Sequence, residues 1–166
     1  LSHKIDNITE AFQWQQGLVL PHKSLVSLSE IFVFVRQNCA KSYPDLDNQL
    51  CVKARQKTLD CAIMLDAHHV TRAFEEIIKN ALFFNKSETP TCHISVKKDR
   101  RKIKIQFRDN GVGIPEDKVD SIFDLLSVGN YSRHESESGI GAGLTLAQGI
   151  ITSHGGSLEL VQSAPY

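Results

Sequence analysis

The chain has no Cys-x-x-Cys pair, no excess of charge of either sign, and no uninterrupted apolar run approaching the ~18 residues of a membrane span. Each absence removes a class of function. Nineteen Lys and Arg balance nineteen Asp and Glu, so no overall field draws the protein to nucleic acid or to an anionic membrane, and an anionic ligand has to be held locally. The four cysteines, Cys39, Cys51, Cys61 and Cys92, lie scattered through apolar or alternating segments, which suits reduced thiols better than a zinc site or a disulfide framework. Nothing at the start resembles the charged and apolar regions of a signal peptide. The expectation is a soluble, cytoplasmic chain that binds no nucleic acid, although a cytoplasmic domain of a membrane-anchored parent would read the same way. Repeats and low-complexity tracts are missing too, and 166 residues suit one core of ordinary size.

What is present begins with amphipathic helices. Ile5, Ile8, Phe12 and Gln15 recur at helical spacing over residues 1–16, a stripe that stops near Gly17 and Pro21 and reads as the tail of a longer helix. A second helix is expected from Ser24 to Ala40, with Leu25, Leu28, Ile31, Phe32 and Val35 on its apolar face. Two short extended runs, Gln49 to Ala54 and Cys61 to Leu65, read as a hairpin or as neighbouring strands. From Ala67 to Phe84 the apolar residues Val70, Phe74, Ile77, Ile78, Ala81 and Leu82 mark a long helix, with Asp66 placed to cap it.

Alternating runs at Cys92 to Val96 and Ile103 to Phe107 should pair antiparallel, with the basic cluster Lys97 to Lys102 as a solvated hairpin tip. Beyond them come a short helix from Glu116 to Leu126, a polar and mobile loop from Ser127 to Ser138, a helix from Leu144 to His154 and a last strand from Ser157 to Val161. Strands and helices interleave in this way when a mixed sheet is covered by helices, an α/β architecture.

Three stretches carry chemistry. Directly after the second alternating run stands Asp109-Asn110-Gly111-Val112-Gly113-Ile114, a carboxylate at a strand end followed by glycines that permit positive φ and close backbone approach. Such a turn seats a flat ligand, an amino-purine for example, against a fixed carboxylate, though Asp-Asn-Gly alone is also a common turn. About thirty residues upstream, Glu76, Asn80 and Phe84 are spaced four apart and form one row along the long helix. They offer a carboxylate to orient or deprotonate a nucleophile, an amide oxygen for Mg²⁺, and a ring to stack on a base. Downstream, Gly139, Gly141 and Gly143 lead into a helix start, where outward N–H groups and the helix dipole favour phosphates. Neither a Rossmann β-α-β unit nor a Gly-Lys-Ser/Thr phosphate loop surrounds them.

With the three stretches in this order, residues 18 to 161 resemble the catalytic, ATP-binding domain of sensor histidine kinases, in the superfamily that also holds gyrase B, MutL and heat-shock-90 proteins. Glu76-Ile-Ile-Lys-Asn80-Ala81 is similar to the family's N box, Asp109 to Ile114 to its G1 box, Ile122-Phe123-Asp124 to its F box, and Gly139-Ile-Gly141-Ala142-Gly143-Leu144 to its G2 box. The resemblance implies a two-layer α/β sandwich with the family's final strand missing from this chain. It also implies Asp109 on the adenine amino group, Asn80 on Mg²⁺, Phe84 where an adenine-stacking tyrosine is usual, and residues 124–138 as a lid over ATP. Two departures bear on the phosphates: Phe83 stands where kinases commonly carry lysine and Val128 where many carry arginine, leaving Lys86, Arg133 and His134 as substitute contacts.

The family also implies a phosphoacceptor histidine on a separate dimerisation hairpin, a homodimeric parent and a response regulator as partner. Residues 1–17 resemble the end of that hairpin or a linker, and residues 18–166 the catalytic domain. Two readings compete with a histidine kinase domain: a degenerate nucleotide-binding regulatory module, and an ATPase of the gyrase type, which Glu76 would suit.

Overall fold

The structure is a computed structural model that describes residues 2–125 and 141–161, with side chains from residue 6 onward. Helix α1 (Ser2–Gln15) opens the chain and closes with paired bonds from the Gly17 and Leu18 amides to Trp14 and Gln13. Its buried side chains are Ala11 and Trp14, with Ile8 partly buried against the core as expected, whereas Phe12 is half exposed, so the apolar face runs through Ile8, Ala11 and Trp14 rather than through Phe12. The reason lies in its partners, since the backbone and Cβ of Trp14 pack on the late helix α7 (Gly143–Ser153) while the indole meets the His69 ring at 4.7 Å.

Residues 24–27 form strand β1 (Ser24–Ser27), not the first turn of a helix. Helix α2 (Leu28–Cys39) begins only at the capping box of Ser27 and Glu30, in which the Glu30 amide donates to Ser27 Oγ and the Ser27 amide donates to Glu30 Oε2. Leu25, expected on the apolar face, therefore points into solvent while Leu28, Ile31, Phe32 and Val35 are buried. After the one-turn α3 (Leu46–Gln49) come β2 (Leu50–Ala54), the one-turn α4 (Gln56–Leu59) and β3 (Ala62–Leu65). The two strands are not a hairpin. A helical turn between them sends β3 back to pair antiparallel with β1, whereas β2 runs parallel to β4 (Cys92–Asp99).

Strand β4 pairs antiparallel with β5 (Lys102–Asp109), Ile94 opposite Phe107 and Cys92 opposite Asp109, and the basic residues form the exposed turn. The three-stranded mixed sheet, order β2-β4-β5, buries Cys92, Ile94 and Val96 beneath α5 (Ala67–Phe83), and a ring stack Phe32–Phe74–Phe107 runs from α2 through α5 to β5. The two-stranded β1–β3 ribbon stands beside it. Helix α6 (Glu116–Val119) is only one turn long where a helix to Leu126 was expected, because it buries no side chain that would offset the entropy of a longer one; residues 120–125 continue as turns.

Residues 157–161 keep the expected alternation, with Leu158 and Leu160 half-buried between exposed neighbours, but pair with no strand among the described residues. Helix α7 ends as the glycines imply, the Gly155 amide donating to Thr152 and the Gly156 amide to Ile151, with Gly155 at φ +79°. No helix among the described residues is long and apolar enough to cross a membrane.

Candidate nucleotide site

Helix α5 is the spine of the site. Asp66 caps it by accepting the His69 amide at 3.2 Å, and its carboxylate also receives the His22 amide at 2.8 Å and lies 2.9 Å from His69 Nδ1. Burial alone would raise the Asp66 pKa, but the bonds from the His69 side chain, the His69 amide and the His22 amide outweigh it and hold the carboxyl below its ordinary value. At the same corner the Asp66 amide donates to His154 Nε2 at 3.0 Å, and His154 Nδ1 donates to the Ile150 carbonyl at 2.7 Å. The end of α7 is thereby tied to the start of α5.

The helices meet again at the other end of α7. An atom placed as Cβ on Gly143 would lie 2.6 Å from Glu76 Oε2, so glycine lets the first residue of α7 sit against that carboxylate where it stands, and a larger residue would push it aside. Glu76 is mostly covered and its Oε1 receives Lys79 Nζ at 3.1 Å. Ala142, preceding α7, offers no side-chain cap, which leaves the first-turn N–H groups available to an anionic guest. The buried Thr145 donates to the Phe123 carbonyl at 2.8 Å and joins α7 to the turn after α6.

The third part is the turn after β5. Gly113 has φ +75°, a conformation that favours glycine, whereas Gly111 serves close approach: its amide donates to Asp109 Oδ1 at 2.8 Å, and a Cβ would lie 2.8 Å from the same oxygen. Asp109 is exposed and Ile114 half-buried. An open trough of roughly 390 Å³ lies along the sheet beside this turn, lined by Lys53, Thr91, His93, Ile94, Ser95 and Arg108 and by Asp109 and Asn110. Its lining includes neither Glu76 nor Gly143.

Glu76, Asn80 and Phe84 run in one row to the C-cap of α5, and the Phe84 ring meets Phe83 edge-on at 5.1 Å with both rings part-exposed. Lys86 lies just past that helix and is exposed. Gly141, Ala142, Gly143 and Leu144 are described, whereas Gly139, Arg133, His134 and most of the expected lid lie outside the described residues. Sequence reasoning missed Lys79, although its position three residues after Glu76 on a helix was a sufficient signal. It also missed Asn85 and Asn110 as a bonded pair, which nothing in their spacing announces. Among the described residues no three of His, Cys, Asp and Glu converge on one point, so a divalent ion here would take one or two protein oxygens, Asn80 Oδ1 first, as Mg²⁺ commonly does.

Comparison with known proteins agrees with this geometry. The sensor protein kinase WalK of Staphylococcus haemolyticus is 30% identical over 95 residues, 57% of this chain and 16% of that protein. The signal transduction histidine-protein kinase ArlS of Staphylococcus aureus is 36% identical over 117 residues, 69% of this chain and 25% of that protein, so the chain spans a quarter or less of these relatives. The mycobacterial sensor histidine kinase MprB has the same fold, with a TM-score of 0.64 at 16% identity over 80% of each chain. Full-length ShkA, solved with AMPPNP, gives 0.71 at 11% identity over 91% of this chain and 30% of its own. The model of histidine kinase-, DNA gyrase B- and HSP90-like ATPases matches residues 65–165, a stretch that begins at the cap of α5 and takes in the helix row, the glycine turn and α7. By that match and by the way these parts meet in space, the chain belongs to the histidine kinase-, DNA gyrase B- and HSP90-like ATPase family.

Proposed function

We propose that this domain binds Mg²⁺-ATP and passes the γ-phosphoryl group to a histidine carried elsewhere in its parent protein, as the catalytic domain of a two-component sensor kinase. The observation that carries the reading is the meeting of Glu76 with Gly143, which brings a carboxylate to the uncapped N-terminus of α7 where phosphate oxygens bind. Asp109 accepts from the adenine amino group, held by the Gly111 amide; Phe84 covers the base; Gly111, Gly113 and Ile114 shape the floor of the adenine pocket. The N–H groups of Gly141 to Leu144 bind phosphate oxygens, with Gly139, Arg133, His134 and Lys86 as further phosphate contacts. Asn80 holds Mg²⁺, which when bound neutralises charge on the phosphates.

Glu76 orients the incoming imidazole and draws off its proton, and Lys79, 3.1 Å from the carboxylate, keeps it aimed. Catalysis is then mainly positioning and charge compensation. Residues 1–17 belong to the end of a dimerisation hairpin, the parent is a homodimer, and a response regulator takes the phosphoryl group onward. Phe83, exposed where such kinases commonly carry lysine, favours one second reading: a module that binds nucleotide for regulation without transfer.

Calorimetric titration tests the binding step. Asp109→Asn replaces a charged acceptor with a group that brings its own donors, and should cost about 1.5 to 3 kcal/mol of ATP affinity; equal affinity in both proteins would exclude Asp109 as the adenine anchor. Glu76→Gln, assayed in the full parent protein with radiolabelled ATP, should bind normally and form phosphohistidine roughly 10²- to 10⁴-fold more slowly. A parent that binds ATP tightly and never labels a histidine is the regulatory module.

A further inference from the structure

The side chain between Asp109 and Gly111 hydrogen-bonds to no member of the row on α5, yet each of its hydrogen-bonding positions is filled. Asn110 Oδ1 accepts from Asn85 Nδ2 at 2.6 Å and from the Thr91 amide at 2.8 Å. Its Nδ2 donates to the Thr89 carbonyl at 3.0 Å and to Ser87 Oγ at 3.3 Å, and its own amide donates to the Thr91 carbonyl at 3.3 Å. The orientation of the carboxamide is forced, because the Thr91 amide can only donate and the Thr89 carbonyl can only accept. Asn85 is fixed in the same way, its Oδ1 receiving the Ser87 amide at 3.0 Å.

We infer that Asn110 is a positioning residue of the nucleotide site, welding the Asp109 turn to the connector 85–91 and so setting where the Asp109 carboxylate stands relative to the end of α5. The inference rests on the nucleotide reading above. A primary carboxamide has two N–H donors and two acceptor lone pairs, and here all four are used inside the protein. None is left for a ligand, so Asn110 acts on the ligand only through its neighbours. One neighbour is Asp109, the last residue of β5. The other is Asn85, the first residue beyond the Phe84 cap of α5, and Asn85 Cα would lie 3.7 Å from a Cβ on Gly111. Aspartate at 110 would keep the acceptors and lose the donors, setting a carboxylate oxygen against the Thr89 carbonyl.

A double-mutant cycle tests this, with ATP and Mg²⁺ as the probe and calorimetric Kd as the readout. Asn110→Ala should weaken ATP about tenfold in the wild-type background and less than twofold in an Asp109→Asn background, since a misplaced carboxylate matters only while the carboxylate is there. Asn110→Asp should behave like Asn110→Ala. Asn85→Ala removes one of the two donors to Asn110 Oδ1, together with the acceptor of the Ser87 amide, and should show the same background dependence at about threefold, which keeps the test open if Asn110→Ala folds poorly. Wild-type affinity in Asn110→Ala, or an equal loss in both backgrounds, overturns the positioning role. Asp109→Asn binding ATP as tightly as wild type excludes Asp109 as the adenine anchor and overturns this inference with it, whereas a wild-type protein that binds no ATP overturns the nucleotide reading itself.

Discussion

Gly149→Ala is the substitution whose sign separates helix propensity from packing. Gly149 is buried in α7 where α1 crosses it, and a Cβ there would lie 2.9 Å from both the carbonyl carbon and Cβ of Trp14 and 3.0 Å from the Gln15 nitrogen. Carbon atoms ordinarily touch at about 3.5 to 4.0 Å, so the shortfall is roughly 0.6 to 1.1 Å. Two of the three obstructing atoms are main chain, and no rotamer change removes them; the helices have to part. Overpacking of this kind costs about 1 to 3 kcal/mol, while alanine in a helix gains about 0.8 to 1.0 kcal/mol over glycine.

The net expectation is a loss of about 1 kcal/mol, read as a fall in Tm of about 2 to 4 °C, and Gly149→Val should lose more. Trp14 is the single tryptophan and is 2% exposed, so its fluorescence reports whether α1 stays seated at this one place. Urea and thermal unfolding followed by Trp14 emission should show a red-shifted native spectrum in both variants. A Tm that rises, with Trp14 emission unchanged, would refute the packing of α1 on Gly149.

Two further outcomes follow from buried groups. Burial pushes the Cys39 thiol up to about 11 and, with Asp109 nearby, the Cys92 thiol up to about 12, so at pH 8 the native protein should alkylate slowly at both and faster at the half-buried Cys51 and Cys61, as peptide mass mapping would show. Because the Asp66 carboxyl is held below its ordinary value in the fold, the stability it adds is present above the unfolded value near pH 4 and is lost as pH falls through the folded one; Asp66→Asn should flatten the low-pH limb of a Tm-against-pH curve, and an unchanged limb would count against the cap.

The long helix and the antiparallel pair were legible because their periods, 3.6 and 2, are long and unbroken: Val70 to Leu82 and Cys92 to Phe107 need no tertiary information. Ser24 to Ser27 were not, since Leu25 and Leu28 sit at a spacing that either a helix or a strand followed by a helix satisfies, and only pairing with Met64 on β3 decides between them. The partner of β2 was hidden for a related reason, because a parallel neighbour comes from forty residues further on. At the site, the residue types of the row and of the glycine turn were readable from their spacing. The contact between Glu76 and Gly143 and the welded asparagines were not, for both join segments far apart in the chain.

His154 has both ring nitrogens engaged by main-chain groups, one accepting from Asp66 and the other donating to Ile150. One end of α7 is therefore pinned to α5, while its other end faces Glu76 across a contact that contains no hydrogen-bonding side chain from Gly143. The eleven residues of α7 make a lever about 16 Å long. A tilt of about 5° about the imidazole pivot would swing Gly143 by about 1.4 Å, by the same helical rise. That is comparable to the radius of an oxygen atom, so the fit of any anion against Gly143 would depend on how the far end of the helix is held.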